Sequence, residues 1–164
     1  MAMEKETLAN LLPNIIPEAI RWARAQEQFI LLNGIPLNNE ELLLAKNAGV
    51  HAPDKIRLCK VDSFPYPETP QLKSVAEKTG LLSPALDGLT FGYGIYIRRG
   101  KENDVSLLSH EFRHVFQFEL IGPFEEFVRV YISQLVWYGY DNAPLERVYI
   151  SQLVWYGYDN APLE

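Results

Sequence analysis

Ser109–Glu119 reads SHEFRHVFQFE, and the way this stretch is placed decides how the rest of the chain is read. His110 and His114 stand four residues apart, with Glu111 beside the first of them. On an α-helix each residue turns ~100° and rises ~1.5 Å, so positions i and i+4 share one face about one turn apart. A helix here therefore aims both imidazoles at one point. Apolar residues dominate the rest of it: Leu107, Leu108, Phe112, Val115, Phe116 and Phe118. Such a helix is buried, and a buried polar group without a partner costs about 1–3 kcal/mol. The plain reading is a core helix whose histidines happen to be spaced by four. Three neighbouring polar groups in that setting are better explained by a shared partner, and a metal ion is the natural one.

The flanking segments give that helix its frame. Asp104 precedes it and Gly122-Pro123 closes it. Ahead of it, LTFGYGIYIRRG is rich in β-branched and aromatic residues with interspersed glycines, which predicts a strand or bent hairpin. Its GYG lacks the third glycine and the following helix of a dinucleotide fingerprint. Further back, KIRLCKV predicts a short half-buried strand, SFPYPETP a loop, and QLKSVAEKTG a helix ended by Gly80. Pro17–Leu32 predicts a helix stopped at Asn33-Gly34. NNEELLLAKNAG predicts another, capped by Asn38 or Asn39, with Glu40 and Glu41 in its first turn and Gly49 at its end. The fold class expected is α+β: one helix-rich domain with a small sheet beside the histidine helix.

Composition narrows the function classes. The chain has 164 residues, 48% hydrophobic and 22% charged, as in an ordinary soluble globular protein. A net charge of -6 argues against nucleic acid as a partner, because broad phosphate neutralisation needs basic surface. Cys59 is the only cysteine, which excludes an internal disulfide and suits a reducing compartment. The first residues show no basic region followed by an apolar core, and no apolar run approaches the ~18 residues of a membrane span. A cytoplasmic location is expected.

RVYISQLVWYGYDNAPLE occurs at 129–146 and again, unchanged, at 147–164. Repeats that build a fold usually drift in sequence and need about three copies, so two perfect copies point to a recent duplication or an artefact. Between the two VYISQLVWYG blocks, Asp141 or Asn142 can cap and Pro144 suits a first helical turn, which places Glu146 at the start of a second helix. Its counterpart Glu164 ends the sequence, with nothing after it to position it.

A catalytic zinc takes three protein ligands and keeps one open position. His110 and His114 supply two. Leu120 stands six positions after His114, where one zincin branch has a third histidine, and His51 lies in a loop and reads as a surface or capping residue. Glu119 falls on a rotated face of the same helix. Glu125 and Glu126 suit the first turn of the next helix. Glu146, on a segment that can return antiparallel to the histidine helix, is the best third ligand. Gln117 lies one turn further along the ligand face, where a hydrogen bond near the site and plain packing are equally open. The stripe Phe124, Phe127, Tyr131 and Tyr138 reads as core. Tyr138, Tyr140 and Tyr149 are all candidates for stabilising an oxyanion.

GLTFGYGIYIRRG, LLSHEFRHVFQFE and YDNAPLE, taken in this order and spacing over Gly88 to Glu146, resemble the gluzincin branch of zinc metallopeptidases, in particular its compact bacterial domains. The resemblance implies a strand at Gly94–Arg98 lining a cleft, zinc on His110, His114 and Glu146, and Glu111 as general base. It also implies a peptide or protein substrate, cleaved by a metal-activated water and docked along GIYI. Residues 1–87 then form a helical scaffold and one wall of the cleft, 88–146 carry the site, and 147–164 are the repeat. Where such proteins often place an acidic or small residue after the third ligand, this chain has Arg147, Val148, Tyr149 and Ile150. The alternative is a weak or inactive zinc-stabilised binding module.

Overall fold

The computed structural model describes residues 2–139 and 143–146, and the backbone alone at 2–4. Helix α1 spans Ala2–Asn33 and contains both Pro13 and Pro17. Proline lacks the amide hydrogen that a helix interior uses, so the sequence alone predicts a helix only from Pro17. Packing overrides this. Leu8, Ile15, Ala19, Ala23 and Ile30 are all buried at spacings of four and seven, one continuous stripe that carries the helix through both prolines.

Strand β1 (Ile35–Pro36) follows, then helix α2 (Asn39–Asn47). Asn38 caps α2: its side chain accepts from the Glu41 amide while the Glu41 carboxylate accepts from the Asn38 amide, both at 2.8 Å. After a single 3₁₀ turn at Pro53–Lys55 come strand β2 (Arg57–Val61) and helix α3 (Pro70–Thr79), which Gly80 ends at φ 84°. Strands β3 (Gly88–Phe91) and β4 (Gly94–Arg98) form the hairpin. The histidine helix α4 (Val105–Ile121) has Asp104 as its cap, and helix α5 (Phe124–Tyr138) follows. The architecture is α+β, as the sequence predicts.

The sheet order is β1-β2-β4-β3, with β4 parallel to β2 and antiparallel to β3. One face, carrying Leu58, Ile95 and Ile97, packs with α4 through Leu108, Phe112 and Val115. The opposite side, carrying Leu89, Phe91 and Tyr96, clusters with residues of α1, α3 and α5. This corrects one expectation. GIYI lies in β4, which has a neighbour on both sides and no edge to offer a peptide. Among the described residues the sheet ends in β1 on one side and in β3 on the other, and β3 also runs beside the histidines' helix. Among the described residues no helix is long and apolar enough to cross a membrane.

Candidate metal centre

Helix α4 places His110 and His114 on one face, with His114 buried and His110 half-buried. Their Nε2 atoms lie 3.0 Å apart. Glu146 comes to them from Pro144–Glu146, a turn beyond α5; the second helix expected to start at Glu146 would run into 147–164, which lie outside the described residues. Glu146 Oε2 is 3.2 Å from His110 Nε2 and 3.3 Å from His114 Nε2. The three side chains form a group able to hold a metal ion.

The turn is fixed from both sides of one residue. The Leu145 amide donates to Gln134 Oε1 at 2.9 Å, and the Leu145 carbonyl accepts from Gln117 Nε2 at 2.9 Å. Ala143 and Leu145 are buried and hold the same segment by packing. Gln117 thereby also sets the state of His114. Its NH₂ group is committed to Leu145, so its oxygen is the atom 2.8 Å from His114 Nδ1. An amide oxygen only accepts; Nδ1 carries the hydrogen, and Nε2 is left for the centre. Of the two roles open to Gln117, the hydrogen bond is the one observed.

With both Nε2 atoms unprotonated, three lone-pair atoms face one another at this range and repel unless a cation sits among them; a proton on either ring turns its contact with Glu146 Oε2 into a hydrogen bond. Electrostatics agree. Burial alone would raise the Glu146 carboxyl, but His114 and hydrogen bonds from His110, His114 and Tyr131 hold it well below the ordinary carboxylate range. Burial alone would lower the His114 imidazole, yet the Glu146 carboxylate, helped by Glu111, raises it to about 9. The three donors therefore fit a cation by position and by charge, and His114 by its tautomer as well.

Glu111 points to the side of this group. The Thr90 hydroxyl donates to its Oε2 at 2.5 Å, and Gly88 lies so close that an added Cβ would meet Oε1 at 2.6 Å. Burial raises its carboxyl above the usual range against the pull of His114, His110 and Thr90. Glu111, His114 and Glu146 line a cavity whose other walls are mostly apolar, among them Trp22, Leu72, Val75, Leu82, Phe91 and Leu135.

Other candidates have different duties. Glu119 accepts from the His51 and Ala52 amides and from the Tyr93 hydroxyl, so it ties a loop to α4. His51 is exposed and outside the group. Glu125 pairs with Arg24, and Glu126 with Arg129. Tyr138 is exposed and does not line the cavity; Tyr140 and Tyr149 lie outside the described residues. Tyr131, assigned to the core from its helical spacing, donates a short hydrogen bond to Glu146 Oε1 and lines the cavity. The signal that could have found it, together with Gln134, is a pair of polar groups three residues apart inside an apolar helix. Comparison with family models, with curated proteins and with solved structures found no match to the chain.

Proposed function

We propose that the chain is a zinc-dependent peptidase of the gluzincin kind, acting on peptide or protein substrates. The observation that carries this reading is the meeting of His110 Nε2, His114 Nε2 and Glu146 Oε2 at one point, with His114 and Glu146 lining the cavity together with Glu111. Two imidazole nitrogens and one carboxylate oxygen suit zinc, and three protein ligands leave the open position that catalysis needs. When bound, the ion supplies Lewis acidity, polarising a carbonyl and bringing the pKa of a water to about 7. Glu111 takes the proton of the attacking water and passes it to the leaving amine. Thr90 holds Glu111 Oε2, which leaves Oε1 to receive that proton.

The substrate backbone docks on β3. The Arg98 amide donates to the Asp87 carbonyl at 2.8 Å, and Gly88 stands opposite Ile97 in the β3–β4 register. Antiparallel pairs alternate between bonded and non-bonded, so Gly88 and Thr90 turn their amides and carbonyls away from β4, to the outer side of this edge strand. An extended peptide adds there, next to Glu111. The single cysteine suits a reducing, cytoplasmic setting.

A second reading, a zinc-stabilised binding module, is favoured by the deep burial of Glu111 and its bond to Thr90. Metal analysis of tag-free protein and cleavage of a peptide library decide between the two. The expected result is one zinc per chain in both the parent and Glu111→Gln, with cleavage by the parent alone. Zinc without cleavage selects the module; protein that takes up no zinc overturns both.

A further inference from the structure

The two oxygens of Glu146 have different partners. Oε2 faces the imidazoles, 3.2 Å and 3.3 Å away, while Oε1 accepts from the Tyr131 hydroxyl. A carboxylate can ligate a cation through one oxygen or through both, and which it does depends on what holds the second oxygen. Tyr131 has little freedom to let go. Its ring stacks on Phe127 at 6.1 Å and meets His114 edge-on at 6.3 Å, and it sits on α5, the helix that also carries Gln134. The backbone of the Glu146 turn is held in turn by Gln117 and Gln134 at the neighbouring Leu145. The carboxylate is thus fixed both at its backbone and at its outer oxygen.

We infer that Tyr131 is a positioning residue that restricts Glu146 to ligation through one oxygen, and so keeps the remaining coordination place free for water and substrate. The inference rests on the metal reading of the site. Without the hydroxyl, Oε1 is a buried acceptor with no other donor shown among the described residues, and the ion would be the charge that attracts it. The carboxylate then rotates to chelate, and the fourth place is lost.

Cobalt(II) in place of zinc makes the coordination number visible. In the full chain loaded with cobalt, the parent is expected to show the strong visible absorption of a four-coordinate ion, and Tyr131→Phe a several-fold weaker band together with a change in cobalt affinity of about 10-fold or more. Identical spectra and affinities in the two proteins overturn the inference. A measurement on the parent alone guards against a variant that does not fold. On cobalt binding, the infrared spectrum is expected to show a wide separation between the antisymmetric and symmetric carboxylate stretches, as one-oxygen ligation gives. A narrow, chelate-like separation overturns the role of Tyr131 while leaving the metal site standing. A parent that takes up no cobalt overturns the metal reading, and this inference with it.

Discussion

Glu146 Oε2 lies 3.2 Å and 3.3 Å from two imidazole nitrogens, and without a metal the cation that stabilises such a cluster is a proton. This gives the metal-free protein a pH signature. His114 is raised from 6.5 to about 9, so its contribution to stability is complete below about pH 6.5 and is lost as the pH rises through about 9. Glu146 is held low, so its contribution is present above the ordinary carboxylate value of 4.5 and is lost as the pH falls through its folded value. The melting temperature of metal-free protein is therefore expected to be highest between about pH 4.5 and 6.5 and to drop from 6.5 to 9. Zinc replaces the proton, and the loaded protein should lose that alkaline decline. Calorimetry on both forms checks this; a flat metal-free profile from 6.5 to 9 contradicts the cluster's electrostatics. The repeat supplies a second residue-scale contrast. Glu146→Gln should weaken zinc binding at least ~10-fold and Glu164→Gln should not, as a competition titration would show. His110, Glu111, His114 and Glu146 were all legible in the sequence, because the first three are related by local helical geometry and the fourth was the acidic residue left once other duties were assigned. Tyr131, Gln134 and Thr90 were not legible in their roles, because each acts on a residue far along the chain.

At the scale of elements, local signals served well and pairing did not. The Asn38 cap, the Gly80 stop and the Asp104 cap are written in neighbouring residues, and each ends or begins a helix where expected. Which strand forms the sheet's edge depends on how β2 finds β4, across the α3 segment, and nothing in GIYI itself announces a parallel neighbour. The prolines of α1 misled for a related reason: their local cost is visible, while the buried stripe that offsets it exists only after α1 meets the sheet and α5. Strand β3 now carries the element-scale test. Gly88 has no left-handed backbone conformation to preserve, and the atoms nearest an added Cβ there all belong to Glu111. In Gly88→Ala the new Cβ displaces the Glu111 carboxylate, the one flexible group in its way. Zinc content should stay at one per chain, while turnover falls on the order of 100-fold, the scale expected for a catalytic group moved by about 1 Å. Unchanged turnover would mean that Glu111 does not act from the position observed here.

The cavity joins regions that are far apart in sequence. Trp22 and Ala23 come from α1, Leu72 and Ala76 from α3, Phe91 from β3 and Leu135 from α5, so the scaffold of residues 1–87 supplies much of the lining of the site's apolar compartment. Its volume is about 60 Å³. One enclosed water needs roughly 10–15 Å³ by this measure, which leaves room for an occupant of about leucine to phenylalanine size and too little for a long acyl chain. Because the lining is mostly apolar, an apolar side chain entering the cavity gives up water and has few polar groups to leave unpaired. Burying such a side chain contributes about 1.5–3 kcal/mol, roughly a 10- to 100-fold preference over a substrate with a small residue at that place. Ala76 is buried on the cavity wall, and Ala76→Phe fills the space from the α3 side without touching a metal ligand. The variant should retain zinc and cleave small-residue substrates at the parent's rate, but lose the preference for leucine or phenylalanine next to the scissile bond. Competition between two peptides differing only at that residue measures the ratio directly. A preference that survives the filled cavity would place the substrate's apolar group elsewhere on the molecule, and would leave the compartment under α1 and α3 as packing space beside the metal and no part of how the substrate is chosen.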